Sequence, residues 1–342
     1  MKFRPTANSL QTPTKRADTA HVATPPRFIH EEQTAFITCK AVGRGFRFVP
    51  TAQVTETLLF VLAHACAKND VSLHEVVYMS NHFHILLTAH SACLPDFVKE
   101  LNSLTARTLN ALRKSSGTNI EKGYGLVEPQ DDGKVLEHAV YTLTNPCASD
   151  LVTRARHWKG VTTARMRYGE EIVLQKPRYG LWARKKPGTK PKKRKRPDAR
   201  TPSKRDRSTI PETVKLRLVR PPIMPELSDD ELRDLVLERV GVRENELEAR
   251  RQKAGKKVVK MRNVQKQPWA MMPGAEELFG VRPTVSATDK EKRIAALGRK
   301  KAFEKAYAEA RERWLGGEKD VEFPVGTWLM CQRYGARSAA YS

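Results

Sequence analysis

Across 342 residues no apolar run approaches the roughly 20 residues that a membrane-spanning helix needs. The opening stretch, MKFRPTANSLQTPTKRADT, is polar and has no apolar core of the secretory kind. Cysteine is sparse: Cys39, Cys66, Cys93, Cys147 and Cys331 are scattered, odd in number and never spaced C-x-x-C. That spacing argues against a disulfide framework and a zinc knuckle, and for reduced, intracellular thiols. Acid is also in short supply, with 38 Asp and Glu against 62 Lys and Arg and a formal net charge of +24. Such an excess favours a polyanionic partner. With no apolar run to enter a bilayer, a nucleic acid is expected and a membrane is not.

The length allows two domains, each with its own core. Residues 1–27, rich in Pro, Thr and Lys/Arg, read as a loose basic arm. Residues 35–39 predict a strand and residues 51–69 a helix, from apolar residues at Val54, Leu58, Leu59, Val61, Leu62 and Ala65. Residues 73–79 and 82–88 predict a strand pair joined at Ser80-Asn81. Residues 94–112 predict a second helix, with Lys99, Arg107 and Arg113 available to solvent or phosphate. The order strand, helix, strand, strand, helix predicts an α+β domain, with helices laid on an antiparallel sheet. Residues 117–133 read as a glycine-rich loop with one short strand near 124–127. Residues 134–145 read as a helix stopped or bent at Pro146.

The second of the paired strands carries His82-Phe83-His84. In an extended strand alternate side chains share a face, so the two imidazoles stand together while Phe83 and Ile85 point into a core. Two imidazoles at that spacing can grip one divalent cation. They can equally be two ordinary histidines on a surface strand. On the 134–145 helix, Tyr141 and Asn145 are four residues apart and share a face, with His138 close to it. Taken alone, Tyr141 reads as a residue packed at the edge of the core with its hydroxyl in water.

Taken in order, these residues resemble a known family. His82-Phe83-His84 closing a strand pair, then a long helix, then Tyr141-Thr142-Leu143-Thr144-Asn145-Pro146 with Leu151-Val152, is similar to the HUH single-tyrosine transposases. The pattern is nearest their REP-associated branch, and Trp158-Lys159-Gly160-Val161 resembles the segment that follows there. The resemblance spans roughly residues 27–170. It implies a ferredoxin-like HUH nuclease fold for a catalytic domain at 28–170, with Tyr141 as nucleophile and His82, His84 and Asn145 as ligands of Mg²⁺ or Mn²⁺. It also implies single-stranded DNA as substrate, with an adjoining hairpin, and a monomer or homodimer in the bacterial cytoplasm at the nucleoid. Cys147-Ala148-Ser149-Asp150 departs from the family's usual apolar-Ala-Gly, and the 117–133 loop departs from its usual strand before the tyrosine helix.

The implied chemistry is consistent with the residue types. A protein nucleophile conserves the phosphodiester energy in a covalent adduct, which water cannot do. A phenol with an ordinary pKa of about 10 is a poor nucleophile at neutral pH, so positioning and a cation must assist it. Neutral imidazole and amide ligands leave the cation its full charge and lean toward Mn²⁺ over the oxygen-seeking Mg²⁺. The alternative reading keeps the same site in a domesticated DNA-binding or regulatory protein that does not cleave.

The second half is predicted to begin with a Lys/Arg/Pro-rich linker at 171–215, including Lys192, Lys193, Arg194, Lys195 and Arg196. It reads either as a DNA-clamping tether or as a solvated spacer. Residues 216–342 read as a mainly helical accessory region. Ser228-Asp229-Asp230-Glu231 is a capping box that opens a helix ending at Gly241, and 244–252 begins another. The pair could form a helix-turn-helix DNA reader or an ordinary helical pair. Residues 288–314 predict a long helix with a packing stripe that includes Ile294, Leu297 and Phe303. Residues 321–331 predict a buried strand or hairpin.

Overall fold

The computed structural model describes residues 26–183, 210–272 and 283–339. Its centre is a sheet built from β1 (Gln33–Lys40), β2 (Val71–Tyr78), β3 (His82–Ala89) and β4 (Gly125–Pro129). Helix α1 (Ala52–Lys68) connects β1 to β2, and α2 (Leu94–Arg113) connects β3 to β4. The spatial order is β2-β3-β1-β4, with each of these neighbours antiparallel. This is the ferredoxin-like split β-α-β arrangement, so the α+β expectation is borne out. The strand expected near 124–127 is this fourth strand. The apparent departure before the tyrosine helix therefore disappears.

Alternation along the strands separates two cores. Ile37, Phe83, Ile85 and Leu87 pack under α1 and α2 with Leu58, Phe60, Phe97 and Leu101. Phe36, Val77 and Leu86 face the other way, toward α3 (Asp132–Ala148), with Val135, Ala139 and Leu143. The Met79 N–H donates to the His82 carbonyl at 2.8 Å, closing the β2–β3 turn at Ser80-Asn81 as expected. Asp131 caps α3 by accepting from the Lys134 N–H at 2.8 Å. The predicted stop at Pro146 comes late, because the helix runs two residues further to Ala148. A proline in the last turn removes only the single bond to Thr142.

The expected linker is ordered at both ends. Strand β5 (Glu171–Gln175) pairs antiparallel with β6 (Thr213–Arg217), and Val214 and Leu216 enter the α1–α2 core. The boundaries placed at 171 and 215 thus fall inside one packed unit.

Helix α4 (Asp229–Lys253) opens on the predicted capping box, with Ser228 and Glu231 satisfying each other's backbone N–H groups. It does not end at Gly241, and no helix-turn-helix forms, which corrects that expectation. A mid-helix glycine costs about 1 kcal/mol. Burial of Leu232, Val236, Val240 and Leu247 on both sides of Gly241 exceeds that cost.

After α5 (Met261–Gln265), the short β7 (Val285–Ser286) adds parallel to β4. Helix α6 (Lys290–Leu315) matches the predicted long helix, but its buried line is Ala296, Phe303 and Ala310. Ile294 and Leu297, expected in that stripe, are exposed. The segment at 321–331 forms a two-residue strand, β8 (Glu322–Phe323), and the start of α7 (Leu329–Tyr334). The edge β8 pairs with β9 (Arg337–Ser338), so no hairpin of the expected length is present.

Candidate active site

The site forms where β3, β1 and α3 meet on the second face of the sheet. Register sets Lys40 opposite His82 and Thr38 opposite His84. The imidazole centroids of His82 and His84 are 4.9 Å apart, as strand alternation requires for a shared face. Each ring is fixed by a hydrogen bond at Nδ1. His82 Nδ1 meets Asn81 Oδ1 at 2.7 Å, and His84 Nδ1 meets Thr38 Oγ1 at 2.8 Å. A carboxamide oxygen only accepts, so His82 Nδ1 carries the proton and Nε2 keeps its lone pair. Outer bonds of this kind orient metal-ligating imidazoles. Sequence reasoning missed Thr38 and Asn81. Asn81 could have been noticed beside the histidines, whereas Thr38 is identified only by strand register.

Tyr141 projects from α3 over this pair. Its ring lies 5.2 Å from that of His84, edge to face. Phe36 stacks between His84 at 5.1 Å and His138 at 4.4 Å, and its ring edge meets Tyr141 at 5.9 Å. His138 Nε2 bonds Ser286 Oγ at 2.9 Å, tying α3 to β7. Tyr141 remains 47% exposed, open to a large substrate. Asn145, one turn further along α3, is buried.

The electrostatics favour neutral ligands. Burial lowers His82 to about 4, reinforced by Lys40 and opposed by contact with Asn145. His84 is pushed well below the ordinary imidazole range, by burial first and then by His82. Burial also lowers His138 to about 4. At neutral pH these rings carry no charge and make poor proton shuttles, while neutral imidazole is the ligating form. Burial raises the Tyr141 hydroxyl, and Asn145 acts in the opposite direction.

At this site the buried His84 Nε2 and Asn145 Oδ1 have no hydrogen-bond partner among the described residues. The Asn145 carboxamide influences both His82 and Tyr141, yet its oxygen makes no hydrogen bond of good geometry. Buried polar atoms are ordinarily satisfied, so an imidazole nitrogen and an amide oxygen left open at this site fit the donor set of a divalent cation. Among the described residues no three His, Cys, Asp or Glu side chains form a metal-binding group. The donor set here is two imidazoles and an amide.

The site opens into a groove of about 970 Å³ walled by β4, α3 and α6. His84, Tyr141 and Lys40 line one part of it, and Arg299 and Lys300 of α6 line another. Of the other basic residues expected to meet DNA, Lys99 and Arg107 lie on α2, which covers the opposite sheet face. The structure therefore does not bring them to the histidines. Arg113, at the end of α2, lies against Arg47 and Trp269. Lys192, Lys193, Arg194, Lys195 and Arg196 lie outside the described residues. Among the described residues no helix is long and apolar enough to cross a membrane.

Residues 46–126 match the family described as "Transposase IS200 like". The match contains both histidines and ends before Tyr141 and Asn145. No curated protein matches the chain. Among solved structures, the chain is similar to a REP-associated tyrosine transposase bound to a REP hairpin. That pair shares 14% identity over 42% of this chain and 82% of the other, with a TM-score of 0.37. A provisionally named transposase from Deinococcus radiodurans R1 shares 21% identity over 30% of this chain and 83% of its own, with a TM-score of 0.24.

Proposed function

We propose that this chain, IS200-like transposase sequence over residues 46–126, is a metal-dependent single-stranded DNA nickase and strand transferase of the REP-associated kind. The observation that carries the proposal is Tyr141 set 5.2 Å from the ring of His84, beside the two open donors His84 Nε2 and Asn145 Oδ1. His82, His84 and Asn145 would hold Mg²⁺ or Mn²⁺. Bound there, the cation would polarise the scissile phosphate and offset the charge that develops on it.

The chain's own residues do the rest. The Tyr141 oxygen attacks phosphorus and forms a 5′-phosphotyrosine. The P–O3′ bond breaks, and the leaving oxygen takes a proton to become a free 3′-OH. Asn145 favours the phenolate at the moment of attack. With His82 and His138 neutral, the phenolic proton leaves through the exposed side of Tyr141 to solvent. Reversal by a 3′-OH rejoins strands with no external energy source. Tyr141 lies against His84 of its own chain, which supports a site completed within one copy.

The substrate is a single strand next to a hairpin, with its backbone lying in the groove among Lys40, Arg299 and Lys300. The non-cleaving regulatory reading drew on the basic linker and a possible helix-turn-helix, and the second of these supports falls away because the segment is one continuous helix.

The test is incubation of the full chain with labelled single-stranded oligonucleotides and Mn²⁺ or Mg²⁺. A covalent adduct is expected that requires metal and disappears in Tyr141→Phe. A folded chain that gives no adduct across a broad oligonucleotide pool overturns the proposal.

A further inference from the structure

Away from the histidines, the most unusual grouping of charge lies at the His82 end of the sheet. Residues 41–48 wrap that end: the Ala41 N–H donates to the Asn81 carbonyl at 2.8 Å and the Phe48 N–H to the Ser80 carbonyl at 2.8 Å. A second segment, far away in sequence, is fastened across this loop at two points. Gln265 Nε2 donates to the Pro50 carbonyl at 2.9 Å, and the Phe46 N–H donates to the Met271 carbonyl at 2.9 Å. Between these anchors stands Trp269. The guanidinium carbons of Arg47 and Arg113 lie 4.9 Å and 5.0 Å from its ring centroid.

This arrangement is unfavourable as it stands. Arg113 Nη2 donates to the Arg47 backbone carbonyl, and the Arg47 charge lies near enough to oppose that of Arg113. Neither has an acidic partner among the described residues. Arg47 Nε and Arg113 Nη1 are buried and donate to nothing. Burial, followed by the nearby Arg47, lowers Arg113 to about 10. Like charges side by side with unsatisfied N–H donors are stabilised by a shared anion, and the planar arginine fork suits phosphate oxygens. Trp269 supplies cation–π support while the anion is absent.

We infer that Arg47 and Arg113, carried on Trp269, form a phosphate site that grips one backbone phosphate of the single strand adjoining the histidine pair. The identity of that strand rests on the function proposed above; the anion site does not. Trp269 belongs to the second half of the chain. That half thereby contributes directly to substrate binding at the end of the sheet where β3 begins.

The experiment uses the full chain carrying Tyr141→Phe, so that no covalent adduct forms, and a labelled oligothymidylate as probe. Affinity is measured across salt concentrations for the parent, Arg47→Gln, Arg113→Gln and the double variant. Each single variant should reduce the slope of log K against log salt by roughly 0.7, the value for one single-strand phosphate. The double variant should reduce it no further, because both arginines share that phosphate. Arg47→Lys and Arg113→Lys keep the charge and should preserve the slope while affinity falls. They also supply the test if the glutamine variants fail to fold.

Inorganic phosphate is the second probe. It should raise the Tm of the parent and leave the double variant unmoved. Unchanged slopes in the folded glutamine variants overturn the inference, as do lysine variants whose affinity does not fall. So does a double variant with twice the loss, which would mean two separate phosphates. Protection by inorganic phosphate with no change in oligonucleotide slope would identify a free-phosphate site and overturn the assignment to DNA. Because cleavage is disabled throughout, failure of the catalytic proposal would appear in the adduct assay and leave these outcomes readable.

Discussion

Glu75 on β2 and Arg233 on α4, 158 residues apart, close an ion pair of 2.5 Å between Oε1 and Nη1, and both side chains are fully buried. Thr163 and Tyr168 also donate to the Glu75 carboxylate, while Arg233 Nη2 donates to the Thr163 carbonyl at 2.7 Å. Helix α4 thus continues the domain that carries the histidines. Removing one partner of a buried pair leaves an uncompensated charge and costs about 3–5 kcal/mol. Arg233→Ala should lower unfolding stability by that amount in urea titration. A loss under 1 kcal/mol would show that α4 is not coupled to the sheet through this pair. Glu75→Leu with Arg233→Met should recover most of the loss.

The orientation of His84 depends on Thr38 Oγ1. Thr38→Val keeps the shape and removes the partner of Nδ1. Losing a hydrogen bond that orients a ligating imidazole weakens metal affinity by roughly 10–100-fold. Mn²⁺ binding followed by electron paramagnetic resonance should show at least the lower figure. Asn145→Asp should move affinity the other way, because a carboxylate would replace the open amide oxygen. Equal affinities in all three proteins would remove the cation from this site.

His74, the extra residue at the β2 bulge, is buried. Its Nδ1 meets the Val219 carbonyl at 2.9 Å and its Nε2 meets Thr88 Oγ1 at 2.8 Å. Burial lowers it to about 4, opposed by the Val219 bond and assisted by His90. The unfolded chain, with an ordinary imidazole near 6.5, therefore binds more protons between about pH 6.5 and 4. Folding stability should fall as pH drops through that window, by about 3 kcal/mol from His74 alone at roughly 1.4 kcal/mol per unit. His74→Gln should flatten the pH dependence by one proton. Superimposable pH–stability curves would refute the assignment.

Gly160 follows Trp158, which is fully buried and donates from Nε1 to the Tyr78 carbonyl at 3.0 Å. A Cβ on Gly160 would lie 2.5 Å from that Nε1 and 3.1 Å from the carbonyl oxygen. Gly160→Ala must move backbone or indole, which should cost about 1–3 kcal/mol as overpacking does. Near-ultraviolet circular dichroism should lose intensity as Trp158 shifts. Because Tyr78 ends the strand that turns into His82, adduct formation should fall as well. A variant with unaltered stability and spectrum would contradict the geometry.

Much of the fold could be read from local patterns. The alternation that sets His82 and His84 on one face and Phe83 on the other is a property of any strand, and it appears in the structure as expected. The Tyr141–Asn145 spacing likewise needs only a helix. Thr38 could not be read in this way: its bond to His84 depends on the β1–β3 register across 46 residues of sequence. Gly241 misled for a related reason. Local propensity marks it as a stop, but contacts with α3 on both sides of it keep the helix whole.

The sequence alone determined the basic character, the paired histidines, the tyrosine helix and the order of strands and helices. These follow from charge count and hydrophobic period, which act along the chain. Only the tertiary structure decided that Tyr141 faces His84, that His84 Nε2 and Asn145 Oδ1 are each left without a hydrogen bond, and that Arg47, Arg113 and Trp269 meet. Each of these depends on surfaces brought together from distant segments by burial of apolar side chains. That burial is non-directional, and strand register and helix packing turn it into specific contacts.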